Sequence, residues 1–382
     1  MHEAWDPMAP TGNEVTADTL ARRACMDYGR WRLPDLDEAL RMLAADPALS
    51  RASLHVAAAV GDVDAVRDLI AAGAEINAKG GPFPWPPLLY ACYSRVPPSG
   101  ARSTLAVARA LLAAGANPNA GFLWCGHQPG FTAVTGVFGE GEDGNNYPPH
   151  PERDALARVL LEAGANPNDE QTLYNRHFFP DDGHLELLFE FGLLDRAMLI
   201  EELWAAARKN FEPRVKLLVA HGAPVDEPGR RDNTRPVDAA LDFGNVAVAD
   251  FLVANGAAPA RRSAAQQFVT ACVAGRRDEA LALIAERDRL NPHAQNELVR
   301  RAVEARHPDG VRLMAELGFP LDLVTRNTPL HEAAWSGDLE LVKVLVELGA
   351  STTARDPEHD GTPAGWAAHN HQAHVVAYLA ER

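Results

Sequence analysis

The sequence predicts an all-α solenoid of stacked helix-turn-helix repeats, and three observations carry that prediction. Thr328-Pro329-Leu330-His331, Ala333-Ala334, Gly337-Asp338 and Leu348-Gly349-Ala350 make one unit, TPLHEAAWSGDLELVKVLVELGA. Weaker copies of it recur along almost the whole chain of 382 residues. A unit this small cannot bury its own apolar face, so its copies must stack. Hydrophobic residues make up 47% of the chain, enough for continuous burial and unlike a disordered composition.

Each unit divides in the same way. In the ankyrin repeat pattern, which this unit resembles, Leu-His-x-Ala-Ala builds an inner helix whose alanines let the next helix approach, and a glycine ends it with a left-handed backbone. An apolar stripe at 3.6-residue spacing forms an outer helix, and Gly-Ala opens the loop and short hairpin tip leading onward.

In chain order, residues 1–17 read as a tail and 18–52 as an atypical capping repeat. In the cap, Leu20 to Cys25 give the inner helix and Leu36 to Leu43 the outer one. The solenoid proper covers 53–382. Its first clear copy has Leu54-His55-Val56-Ala57-Ala58, Gly61-Asp62, then Val66, Leu69, Ile70 and Gly73-Ala74. The second has Leu88 to Cys92, then Leu111-Leu112 and Gly115-Ala116. The third starts at Thr132-Ala133-Val134-Thr135 and resumes at Leu160-Leu161 and Gly164-Ala165. The fourth holds Leu173-Tyr174, Leu187-Leu188 and Gly192. Later copies end at Gly222-Ala223, Gly256-Ala257, Ile284-Ala285, Gly318 and Gly349-Ala350, and the last runs to Arg382. That gives about eleven units, with atypical end members acting as caps.

These motifs resemble the ankyrin repeat family over nearly all of residues 18–382, most specifically at 327–355 and 53–79. The resemblance implies an ankyrin-repeat α-solenoid whose concave groove and hairpin tips bind partner proteins. It implies no shared catalytic machinery and no cofactor. Thr328, Pro329, Leu330 and His331 match structural positions of that family, so His331 and His55 are read as structural rather than as ligands or bases.

The formal net charge of −16 argues against nucleic acid and anionic membrane as partners, since both need clustered Lys and Arg. A protein partner with a basic patch fits this sign. Cys25, Cys92, Cys125 and Cys272 are scattered, which suits a reducing cytoplasm better than a disulfide-stapled secreted protein. The first fifteen residues lack the basic and apolar regions of a signal peptide, and no apolar run is long enough to span a bilayer. Arg-over-Lys and Ala-rich usage is associated with GC-rich bacterial genomes.

Departures from the repeat locate the expected work, because insertions map to loops, often on the binding face. They fall between 83 and 184. Val96 to Ala101 delays the second outer helix, and Glu142 to Pro151 delays the third. Phe83-Pro84-Trp85-Pro86-Pro87 and Phe122 to Phe131 precede the inner helices of these repeats. Parallel stacking should set all four segments on neighbouring edges of one stretch of groove. In the fourth repeat Arg176 and His177 replace the usual Ala-Ala, and burying them requires partners, with Glu140, Glu142, Asp181 and Asp182 nearby. Two readings stand here, a structural salt bridge or a polar pocket.

Exposed aromatics complete the picture, since Tyr, Trp and Arg dominate binding hot spots. The expected partner-binding set is Trp85, Tyr90, Tyr93, Trp124, Phe138, Glu140, Glu142, Tyr147, Tyr174, Arg176 and His177. Other side chains offer weaker chemistry. Cys125-Gly126-His127 with His150 or His177 could offer metal ligands, yet only one short-spaced pair exists. Glu140 to Asn146 misses the alternating order of a calcium loop. His369, His371 and His374 suit a polar capping repeat. No metal site and no catalytic residue is therefore assigned. The expected function is a cytoplasmic, non-catalytic module that docks a partner on the concave face and inserted loops of 83–184. The alternative is an enzyme or small-molecule sensor with a pocket formed by Glu140, Glu142, Arg176 and His177.

Overall fold

The computed structural model describes residues 15–29, 34–128, 130–324 and 326–382. Residues 1–14 of the expected tail lie outside the described residues. The chain forms two compact units, Met1–Asp195 and Arg196–Arg382. Among the described residues twenty-two α-helices make eleven consecutive pairs, as the repeat register predicts.

In the first unit the pairs are α1 (Ala17–Ala24) and α2 (Leu36–Ala45), α3 (Leu54–Ala59) and α4 (Val63–Ala71), and α5 (Pro87–Tyr93) and α6 (Thr104–Ala113). Then come α7 (Ala133–Phe138) with α8 (Arg153–Glu162), and α9 (Gln171–Arg176) with α10 (Gly183–Phe191). Inner helices α1, α3, α5, α7 and α9 pack on one another in sequence, and outer helices α4, α6, α8 and α10 do the same. A two-residue hairpin, β1 (Gly121–Phe122) with β2 (Phe131–Thr132), pairs Gly121 with Thr132 and Phe122 with Phe131.

In the second unit the inner helices are α11 (Arg196–Arg208), α13 (Pro236–Asp242), α15 (Ala264–Val273), α17 (Pro292–Glu304), α19 (Pro329–Ser336) and α21 (Pro363–His369). Their outer partners are α12 (Glu212–Ala220), α14 (Val246–Ala254), α16 (Arg277–Ala282), α18 (Pro308–Glu316), α20 (Leu339–Glu347) and α22 (Ala373–Ala380). No helix among the described residues is long and apolar enough to cross a membrane.

The consensus residues work as the motif requires. Thr328 caps α19 through a capping box with His331, and Gly337 ends that helix at φ 72°. His331 Nδ1 lies 2.8 Å from Thr328 Oγ1 and its Nε2 3.1 Å from the Gly361 carbonyl, tying the helix start to the next loop. His55 Nε2 meets the Ala78 carbonyl at 2.9 Å in the same way. Both histidines are structural. Cys92 and Cys272 are fully buried, as small residues in the alanine positions should be.

The tips of the first unit are joined by a ladder of asparagines. Asn77 donates to the Gly115 carbonyl at 3.0 Å and accepts from Asn117 N–H at 2.9 Å. Asn119 repeats this on Gly164 and Asn166, at 3.0 and 2.8 Å, and Asn168 repeats it on Leu193 and Asp195, at 2.8 and 2.9 Å. Each amide thus satisfies one donor and one acceptor of the next tip. Asn119→Ala should lower stability by about 1–2 kcal/mol, read from denaturant midpoints at unchanged slope.

Candidate functional site

The irregular block is organised by rings. After α1 the chain turns at Tyr28, whose φ of 55° is left-handed, and its side chain enters the face of the inner helices. Met26 N–H donates to the Tyr93 carbonyl at 2.8 Å, which fixes this segment against α5. The Tyr28 ring lies 4.4 Å from Tyr147 and 4.8 Å from Phe131, centroid to centroid. Phe131 stacks on Phe122 and Phe122 on Trp85 at 4.6 Å, and Trp85 makes tilted contacts with Tyr93 and Phe83. The Tyr93 hydroxyl donates to the Thr132 carbonyl at 2.8 Å, and Tyr90 donates to that of Gly80 at 2.9 Å. Gly136 on α7 is required here, because a Cβ would stand 2.3 Å from the Tyr93 ring.

Three of the four irregular segments therefore converge, those around 83–87, 122–131 and 139–151. The fourth does not join the cluster; it closes on itself through a Ser99–Arg102 bridge and pairs Arg102 with Asp62.

Burial corrects the expected exposure of the aromatics. Trp85, Tyr90, Tyr93, Phe138 and Tyr147 are all buried, as are Arg176 and His177. The helix register alone points these side chains at an open face, but the 25–29 segment and the inserted loops fold over that face and seal it. These residues form a core beneath the loops rather than a contact surface. Trp124 and Tyr174 remain partly accessible, and Glu142 is exposed.

Two buried arginines hold the loops down. Arg95, 3% exposed, donates Nε to the Pro148 carbonyl at 2.7 Å and Nη2 to that of Gly136 at 2.8 Å. Its Nη1 reaches the Ser94 carbonyl at 2.9 Å. Burial pulls this guanidinium down to about 10, so it stays charged at neutral pH. Arg176 is fully buried and bonds Glu140 through Nη1 and Asp181 through Nη2, the latter at 2.7 Å. Burial pushes the Glu140 carboxyl up, while the guanidinium beside it pulls it back. Glu142 accepts from the Tyr174 hydroxyl instead. Of the two readings of Arg176, this geometry is that of a structural ion pair.

The loop between α7 and α8 is closely folded, with Gly139, Glu140, Gly141 and Gly144 all at positive φ. Within it Asp143 is buried, and burial raises its carboxyl to about 7, with the Glu142 charge adding and a Tyr147 hydrogen bond opposing. A raised acid binds a proton in the folded state that the unfolded chain has released. Stability should therefore fall as pH rises from the ordinary carboxylate range through about 7. Asp143→Asn should abolish that decline, which denaturation midpoints between about pH 5 and about pH 8 will read.

An accessible rim borders this core. Glu170 caps α9 at φ 65° and is exposed, on the same helix as Tyr174. Beside it a depression of about 490 Å³ is lined by Gln128, Gly130, Thr132, Asn168, Asp169 and Glu170. Asp169 is held there by Thr132 and Thr172 hydroxyls at 2.5 and 2.7 Å and by Thr172 N–H at 2.8 Å. Trp124 donates its Nε1 to the Tyr28 carbonyl at 2.9 Å, which fixes the exposed loop it belongs to.

The other candidate chemistry is accounted for by structure. His150 is buried, with Nε2 2.8 Å from Thr104 Oγ1 and Nδ1 accepting from Glu152 N–H at 2.9 Å. The acceptor role of Nδ1 puts the proton on Nε2, so this imidazole cannot take a proton from Thr104. Burial and Arg95 hold it down to about 3. His369 stacks on Trp335, His374 reaches the Gly337 carbonyl at 2.9 Å, and His371 takes the left-handed helix-end position at φ 59°. Among the described residues no three His, Cys, Asp or Glu side chains form a metal-binding group.

Sequence reasoning missed Tyr28 and the anchoring role of Arg95. Neither stands at a motif position, and their partners lie up to 147 residues away in sequence, as with the 3.1 Å bond from Asn175 to the Tyr28 hydroxyl.

Two segments of the chain, residues 51–81 and 325–357, match the family model of the ankyrin repeat. Neither includes the 83–184 block. No curated protein matches the chain.

Proposed function

Because this chain is an ankyrin repeat protein, we propose that it is a non-catalytic module that binds a partner protein along the rim of its altered repeats. Ankyrin repeats are in general protein–protein interaction modules, and the family is typically non-catalytic. The contact surface runs over Trp124, Glu142, Tyr174, Glu170 and the depression at Asp169. The buried members of the set, from Trp85 to His177, hold that surface in shape.

The observation that carries this reading is the rim itself: accessible aromatic and acidic side chains on loops held rigid from below. Loops on a rigid scaffold are where binding residues concentrate, and pre-ordering lowers the entropy cost of docking. Charge defines the partner. Between residues 140 and 190 stand twelve Asp and Glu against three Arg, a formal −9 of the chain's −16. A partner with a basic patch is favoured, chiefly through association rate and selectivity. Engagement of Arg176 by Glu140 and Asp181 weighs against the alternative pocket reading.

Co-purification from the native cell, wild type against a Trp124→Ala, Glu142→Gln, Glu170→Gln variant, tests this. Partners captured by the wild type should be lost by the variant while its helical content, read by circular dichroism, is retained. Equal capture by both would sink the choice of surface.

A further inference from the structure

A second polar recess, in the other unit, has a different chemistry. Arg208 ends α11, Phe243 caps α13 and Arg301 lies on α17. Between them α15 leaves its first turn, Ala264 to Gln267, exposed. A cavity of about 140 Å³ opens there, with Arg208, Arg301, Phe243, Asp232, Asp242 and Glu297 in its lining.

The two guanidiniums share one ring, lying 4.6 and 5.4 Å from the Phe243 centroid. Stacking orients them while leaving their hydrogen-bonding edges available. A guanidinium carries five donors. Arg208 spends one on Glu304 at 3.2 Å, and Arg301 contacts Glu297 at 3.7 Å, beyond hydrogen-bond range. The Nε of both is buried with no hydrogen-bond partner among the described residues. The opposing wall is acidic and ordered. Asp232 accepts from the Thr234 hydroxyl at 2.6 Å, and that hydroxyl accepts from Trp204 Nε1 at 2.9 Å. Asp242 is held by Arg262 at 2.6 Å.

A simple anion would meet three carboxylates here, and a simple cation two guanidiniums. Only a ligand carrying both signs is matched on both walls. The small volume suits a ligand with a short side chain better than a nucleotide. We propose that this cavity binds a small zwitterion, a free α-amino acid, with its carboxylate on Arg208 and Arg301 and its ammonium toward Asp232 and Glu297. This site is separate from the proposed partner-binding rim and does not depend on it.

Thermal denaturation and calorimetry of the full chain with L-serine will test it, using acetate and ethylammonium as half-ligands. For a dissociation constant of about 1 mM, L-serine at about 10 mM should raise the folding equilibrium constant about tenfold. Neither half-ligand should do so. Arg301→Gln should weaken serine binding about tenfold or more, and Arg277→Gln, on outer helix α16, should leave it unchanged. The ligand-free melting temperature of Arg301→Gln controls for misfolding. No serine response, an equal response to acetate, or full binding by Arg301→Gln would each overturn the proposal.

Discussion

Replacing Arg176 by methionine should destabilise the first unit by about 3–5 kcal/mol, the usual result of removing one partner of a buried pair. The asymmetry of its two carboxylates explains the size. Asp181 is half exposed and keeps Arg153 at 2.8 Å, so it tolerates the loss. Glu140 is 9% exposed and faces Arg176 from a strained turn at φ 60°. Without the guanidinium its carboxyl keeps the cost of desolvation and the Asp181 charge, opposed only by the Arg153 charge, and rises further. The variant should consequently lose stability as pH rises past the ordinary carboxylate range, a dependence the wild type shows less of. Adding Glu140→Gln should recover part of the loss, so the two changes should not sum. Urea denaturation of the Arg176→Met and Glu140→Gln single variants and of the double variant measures this, and a loss for Arg176→Met below about 1 kcal/mol would show that the pair carries little of the loop's stability.

Arg95→Met should cost a similar amount, about 3–5 kcal/mol, for a different reason. Among the described residues no carboxylate stands among the hydrogen-bond partners of Arg95; carbonyls near the ends of α5 and α7 and the Pro148 carbonyl share its charge. Helix C-termini carry partial negative charge, so this is a favourable place for a buried cation. Methionine fills the space but leaves those carbonyls without a donor. Arg95→Lys should rescue only partly, because one ammonium cannot span three divergent acceptors. Limited proteolysis of the 139–151 loop is the matching local measurement. Faster cleavage in Arg95→Met, with the second unit's melting unchanged, is the expected result.

The consensus residues were legible because each has one local task. Thr328, His331 and Gly337 announce a cap, a loop tie and a helix end, and all three do that. The pairing of Arg176 was legible too, since a charge in an alanine position must find its opposite. The closure of the groove was not. A register assigns side chains to a face but says nothing about what folds over that face. Tyr28 reaches Tyr147 from a segment before the first clear repeat, and nothing in its local sequence marks it. The cavity at Phe243 was hidden likewise, because it needs Arg208 and Arg301 to meet one ring from helices three repeats apart.

The rungs formed by Asn77, Asn119 and Asn168 join only neighbours, and each uses the same two backbone groups of the tip that follows. A whole repeat could be duplicated or excised in phase, and every rung would re-form on its new neighbour. A breakpoint inside a repeat would instead strand one side-chain amide, one backbone carbonyl and one backbone N–H. At the tips, then, the whole repeat is the unit of gain or loss, whereas the contacts of Tyr28, Arg95 and Arg176 between particular repeats hold the 83–184 block to its present order.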